Sequence, residues 1–132
     1  MDAFVSNFPA LFITAFFAIL FLQSGLDKVT DYAGNFSYLS DHFKNSPLAG
    51  SVKIMLPVIT FLEMATGLIS AWSLLQLLLS GQSGTAIFNP ALAAISLLCL
   101  FFGQRIAKDY AGAAALVPYF AVALLGIWMI KM

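Results

Sequence analysis

Glu63 is the one acidic side chain inside any of the long apolar stretches of this 132-residue chain. Pro57 to Leu62 precede it and Met64 to Ile69 follow it, and none of these flanking residues carries a charge. A carboxylate at mid-depth in a membrane helix costs roughly 2.5–3.5 kcal/mol on insertion scales, so it needs a partner, a proton or a function. Two roles suit Glu63. It holds helices together through a hydrogen bond to a Thr, Tyr or Gln, or it handles a proton or contacts a ligand. Desolvation favours the neutral acid unless a cation stands close. Lys28 and Arg105 are the nearest cations by depth, but Glu63 lies about nine residues into its stretch, roughly 14 Å at 1.5 Å per residue. Both cations are therefore at the edge of reach. A protonated, hydrogen-bonded acid is as well supported as a salt bridge, and either cation alone suits snorkelling to lipid phosphates.

Two further polar clusters flank the same end of the apolar stretches. Gln23, Ser24, Asp27 and Lys28 close the first, and Gln104, Arg105, Lys108, Asp109 and Tyr110 form the turn after the third. With Glu63 above them they outline a polar pocket, unless they are ordinary helix-end charges meeting headgroups. Helical spacing puts Thr60, Gly67 and Ser70 on the face of Glu63, a small and polar stripe suited to close helix packing. Ser96, Cys99 and Gly103 form a matching stripe on the third stretch, and Gly112, Tyr119 and Gly126 on the fourth. Gly25 adds a small residue at the end of the first. His42 is the single histidine, without the companion spacing of a metal site. A haem, too, lacks an axial pair. Cys99 is the single cysteine, which excludes an internal disulfide or a CxxC redox pair; mid-stretch, it is expected to pack.

The elements that must position these residues follow from composition. The chain is 61% hydrophobic and 9% charged, whereas a soluble domain carries about 25% charged residues. The apolar residues come in long blocks, so the expected class is an all-α integral membrane protein, an antiparallel four-helix bundle. The spans are expected at about 8–26, 54–79, 90–107 and 111–130, in one domain, 1–132, in contact with the lipid bilayer. The first is expected to be a retained span and not a secretory signal, because Asp2 is its only charge. Pro57 falls in the first turns of the second span, where proline is tolerated. Asn89-Pro90 has the form of an N-cap followed by proline at the first helical position. Pro118 is expected to kink the fourth span, and Trp72 and Trp128 to sit at an interface. No inverted repeat of the transporter kind stands out.

The polar segment 27–53 interleaves charges with Tyr32, Phe36, Tyr38 and Phe43. Its stretch from Tyr38 to Phe43 suits a short interfacial helix. Lys28, Lys44, Lys53, Arg105 and Lys108 all fall on one side of the four spans, and Lys131 on the other. The positive-inside rule puts the first group in the cytoplasm and both termini outside. Net charge is zero, and no basic tract points to nucleic acid.

Phe21-x-x-x-Gly25-x-x-Lys28 closes the first span, and a proline-containing loop leads to a second span with Glu63-x-x-x-Gly67. With four spans in a chain of this length, the pattern resembles the DoxX family of small bacterial membrane proteins over nearly the whole chain. The resemblance implies a four-helix bundle of the inner membrane, associated with quinone-linked redox complexes. Its expected function is an accessory or quinone-proximal subunit, with a quinone as the implied cofactor and redox-complex subunits as implied partners. If it were catalytic, the chemistry would be quinone-linked oxidoreduction. The competing expectation is a small carrier that binds a lipid-like molecule or a partner helix, Glu63 being ligand-contacting or purely structural. Gly-rich faces would also serve association between copies.

Overall fold

The computed structural model describes residues 8–81 and 84–131. Asp2 and, in the linker after the second span, Gln82 and Ser83 lie outside the described residues. Among the described residues five α-helices follow in order: α1 (Phe8–Thr30), α2 (Tyr32–His42), α3 (Val52–Ser80), α4 (Phe88–Ile106) and α5 (Tyr110–Lys131), with a 3-10 turn at Ala49–Ser51 before α3. α1, α3, α4 and α5 are each long and apolar enough to cross a membrane. Their outer surface is apolar, with Phe12, Ile19, Phe61, Leu79 and Trp128 each more than 60% exposed. The interior, by contrast, holds Thr14, Glu63, Thr66, Ser70, Ser73, Asn89 and Ser96 at 2% or less. A soluble bundle instead turns charged and polar residues to its outer face. The protein is a multi-pass helical membrane protein.

The expected spans are present but shifted at their ends. α1 continues to Thr30, whose Oγ1 donates to the Leu26 carbonyl at 2.7 Å. Asp31 then accepts from the Gly34 N–H at 3.2 Å and starts α2, so much of the expected loop 27–53 is helical. Gly81 ends α3 in the left-handed conformation, at φ 75°, its N–H bonded to the Leu77 carbonyl, a common glycine C-cap. α3 starts at Val52, two residues before the expected 54, with Pro57 inside the helix in its second turn. Asp109 caps α5 by accepting from the Gly112 N–H at 2.9 Å, and Lys108 makes the tight turn before it at φ 61°.

Asn89 is not the N-cap of α4. The helix begins at Phe88, with Ile87 in the cap position. The Asn89 amide is fully buried and spent between helices. It donates to Thr14 Oγ1 and its carbonyl oxygen accepts from Ser73 Oγ, both at 3.3 Å. Ser73 also lies 2.6 Å from Thr85 Oγ1. This network ties α1, α3 and α4 together at the end opposite the basic residues. In a medium without water, a membrane protein must satisfy such groups internally. Interhelical hydrogen bonds in bilayers contribute about 0.6–2 kcal/mol each. Replacing Asn89 with Leu is therefore expected to lower stability in a denaturant titration by about 1–3 kcal/mol.

α1 is the central element. On one side its Phe17 and Phe21 pack against Ala93 and Leu97 of α4 and Ala123 of α5, large side chains set against small ones. On the other side it makes the closest helix contact of the bundle, with α3. α4 and α5 form an antiparallel pair, and Gly126 of α5 lets Pro90 and Ile13 approach.

Candidate functional site

The α1–α3 contact is set by two glycines. A Cβ at Gly67 would lie 2.7 Å from the backbone nitrogen of Leu22. A Cβ at Gly25 would lie 2.5 Å from Met64 Sδ. The helices run antiparallel, so moving one turn from Gly25 toward the basic end of α1 reaches Lys28, and one turn from Gly67 the same way reaches Glu63. Side chains on a helix tilt toward its N-terminus. The Lys28 stem accordingly leans back along α1, into the bundle, and its Nζ lies 2.8 Å from Glu63 Oε1.

The pair is buried: the Lys28 side chain is 17% exposed and that of Glu63 3%. The structure thus places a cation on the acid, where depth alone left a neutral carboxyl equally supported. Depth counted from each helix end omitted two things, the extension of α1 to Thr30 and the direction of the lysine stem. The ammonium approaches Glu63 Oε1 outside hydrogen-bond geometry, so this oxygen has the ion-pair distance but no hydrogen-bond partner among the described residues. The contact is a Coulombic one that leaves acceptor capacity on a buried carboxylate. Ser70 Oγ, two turns along the same face of α3, is likewise buried without a partner among the described residues. Between them Thr66 donates to the Leu62 carbonyl at 2.7 Å and meets Ser96 Oγ at 3.3 Å.

Thr66–Ser96 and Ser73–Asn89 join α3 to α4 over one half of the bundle. Toward the basic end the two helices enclose a cavity of about 920 Å³. Met55, Ile59 and Leu62 of α3 form one wall, and Cys99 and Gly103 of α4 the other. Val58, Leu98, Phe102 and Arg105 also line it and are exposed, so the space opens on the outer surface between α3 and α4. Lys28 reaches its inner side, which sets the buried ion pair against the cavity.

α2 closes the basic end of this space through Tyr38, Leu39 and His42. No residue of α2 itself is buried, so few contacts hold it. His42 Nε2 lies 2.7 Å from Gln104 Oε1 and 3.7 Å from Asp109 Oδ2, while its ring stacks on Tyr38 at 5.6 Å. The next residue, Phe43, is 6% exposed and lies against Gly103, where an added Cβ would come within 3.5 Å of its ring. The bond from His42 to the α4–α5 turn was not legible in sequence. Phe43 carried the only available signal, as an aromatic ending an interfacial helix.

The sequence-derived residues divide into three groups. Lys28, Glu63 and Arg105 meet at or beside the cavity, with Gly25 and Gly67 setting the approach and Gly103 forming wall. Gln23 and Lys108 are exposed and do not line the cavity, and neither does half-buried Ser24. Thr60 is half-buried, its hydroxyl bonded to the Leu56 carbonyl at 2.6 Å. Gly112 belongs to the Asp109 cap. Tyr119 stands apart from Glu63, stacked on Phe16 at 6.0 Å and partly exposed. Cys99, expected to pack, is exposed and lines the cavity. No group of three His, Cys, Asp or Glu that could hold a metal occurs among the described residues.

Arg105 has a distinct setting. Its guanidinium lies 4.5 Å from the centre of the Tyr110 ring, a cation–π contact, and it makes no ion pair among the described residues. An apolar cavity with a few polar groups at one end is the usual form of a small-molecule site. Compared with known proteins, the chain matches no family model, no curated protein and no solved structure.

Proposed function

We propose that this protein binds an amphipathic small molecule drawn from the bilayer, in the cavity between α3 and α4, as a carrier or as the ligand-holding subunit of a larger assembly. The observation that carries this reading is the cavity itself. Its 920 Å³ lies within the range of about 300–1,000 Å³ typical of ligand sites. It opens sideways, toward where lipid would lie. Lys28, one of its lining residues, belongs to the Lys28–Glu63 ion pair, whose cost suits a function better than packing alone. The basic end is read as cytoplasmic, by the positive-inside rule, in a bacterial inner membrane.

A second reading follows from the resemblance to the DoxX family. A quinone is an apolar molecule with carbonyl acceptors, and Lys28 on the cavity wall is a donor for one of them. Under this reading the protein is the quinone-proximal subunit of a redox complex, the electrons being supplied by a partner chain.

Native mass spectrometry of the protein released from its own membranes tests the common element. The expected result is a retained small-molecule adduct, depleted about tenfold in Ile59→Trp, which narrows the cavity from the α3 wall. A folded wild-type protein that carries no adduct, and takes up neither a fatty acid nor a quinone when these are added, would sink the proposal.

A further inference from the structure

Resting on the ligand-binding reading above, we infer that the cavity takes an amphiphile with one apolar chain and an anionic oxygen head, a carboxylate or a phosphate, seated on Arg105. The charges on the wall carry this inference. Lys28, His42 and Arg105 line the cavity, and among the described residues no Asp or Glu does. The three basic groups differ in what they have left to offer. Lys28 has its charge paired with that of Glu63 at 2.8 Å. His42 is committed to Gln104 at 2.7 Å, with Asp109 beyond it at 3.7 Å. Arg105 alone lines the cavity without a carboxylate partner among the described residues.

Tyr110 holds Arg105 from one face, at 4.5 Å. A cation–π contact uses none of the guanidinium's N–H groups, which leaves them for bidentate capture of a carboxylate or phosphate. Arg105 is exposed at the lip and in the last turn of α4, where the end of a membrane helix meets the headgroup region. Apart from Tyr38 and Gln104 beside His42, the rest of the wall is apolar, from Met55 and Ile59 to Cys99 and Phe102. Head and chain thus have separate, correctly ordered places: the anion at the rim and the chain running inward past Cys99. The volume suits a single-chain molecule, being at the upper end of small-molecule sites.

The test measures dissociation constants in lipid nanodiscs of zwitterionic composition for four probes: palmitate, hexadecyl phosphate, hexadecanol and a quinone with an isoprenoid tail. The wild type is expected to bind both anions at least about tenfold more tightly than hexadecanol, and Arg105→Gln to remove that preference by weakening the anions about tenfold more than hexadecanol. Arg105→Lys is expected to restore part of it, more for the phosphate than for the carboxylate. Equal binding of alcohol and anions, unaffected by Arg105→Gln, overturns the anionic-head assignment but leaves the cavity a ligand site. Preference for the quinone over both anions also overturns it, in favour of the redox reading. Failure of all four probes overturns the ligand-binding reading beneath it. Because Arg105 is exposed, its replacement leaves the buried framework intact, and a thermal unfolding curve on the same sample checks this.

Discussion

Replacing Lys28 with Ala is expected to destabilise the bundle by about 3–5 kcal/mol, because it strands a carboxylate that is 3% exposed without its cation. The opposite change is expected to cost less. In Glu63→Gln the lysine keeps a route to the headgroup region along its flexible stem, and its side chain already has 17% exposure. The asymmetry distinguishes a buried ion pair from a simple packing contact, which would respond mainly to the volume removed. Lys28→Met combined with Glu63→Leu is expected to recover most of the loss, since a buried pair replaced by apolar groups of similar volume is often neutral or better. The measurement is reversible unfolding in mixed micelles at neutral pH for Lys28→Ala and Glu63→Gln, and for Lys28→Met, Glu63→Leu and their double, with the coupling taken from the cycle of these last three. Additive effects across the cycle would mean that Lys28 and Glu63 do not interact.

Gly67→Ala is the second large effect. The added Cβ would stand 2.7 Å from the backbone nitrogen of Leu22, and backbone has no rotamer with which to move away. α1 and α3 must therefore separate, with a loss of about 1–3 kcal/mol for Ala and more for Leu, as overpacked sites show. Gly25→Ala is the internal control. Its two nearest atoms are Sδ and Cγ of the Met64 side chain, at 2.5 and 2.9 Å, and a thioether chain readjusts, while the nearest backbone atom, the Met64 nitrogen, stands further off at 3.3 Å. The expected loss there is within about 1 kcal/mol. Separation at Gly67 would also draw Lys28 away from Glu63, so Gly67→Ala should weaken the coupling measured in the Lys28–Glu63 cycle, while Gly25→Ala should leave it nearly unchanged. Equal losses at the two glycines would mean that the α1–α3 spacing is not fixed at Gly67.

How far the sequence anticipated the structure depends on which physical signal each residue carried. Span number and type were legible because long apolar blocks have only one economical arrangement in a bilayer. The polar face of α3 was legible from helical spacing, and Ser70, Gly67 and Glu63 are all buried there. Partnership was less legible. Lys28 lies within reach of Glu63 only through the relative register of α1 and α3, which depends on a backbone contact at Gly67 and not on distance along either chain. Asn89-Pro90 had the local form of a helix start, but tertiary demand prevailed. Buried beside Thr14 and Ser73, the amide joins helices instead of capping one. Cys99 and Gly103 were assigned to one small-residue face with Ser96. That face proved divided, because α3 and α4 meet at Ser96 and enclose the cavity below it. A stripe on one helix does not show where its neighbour turns away.

The same division explains why the site could not be assembled from sequence. Arg105, Lys28 and His42 come from three different helices, and each suits a helix-end charge when taken alone. Their convergence on one cavity follows from α2 folding back over α4, fixed by His42 to Gln104 and by Phe43 against Gly103. Neither contact leaves a periodic signal.

Cys99 offers the most direct test that the cavity is a binding site, since it is the single cysteine of the chain, is exposed and lines the cavity. The rate at which N-ethylmaleimide modifies it can be followed by intact mass in nanodiscs, without any substitution. Saturating palmitate, hexadecanol or quinone, whichever binds, is expected to slow modification about tenfold or more, as an occupied site does. A Cys99 rate unchanged by all three, in folded protein, would contradict a ligand site between α3 and α4.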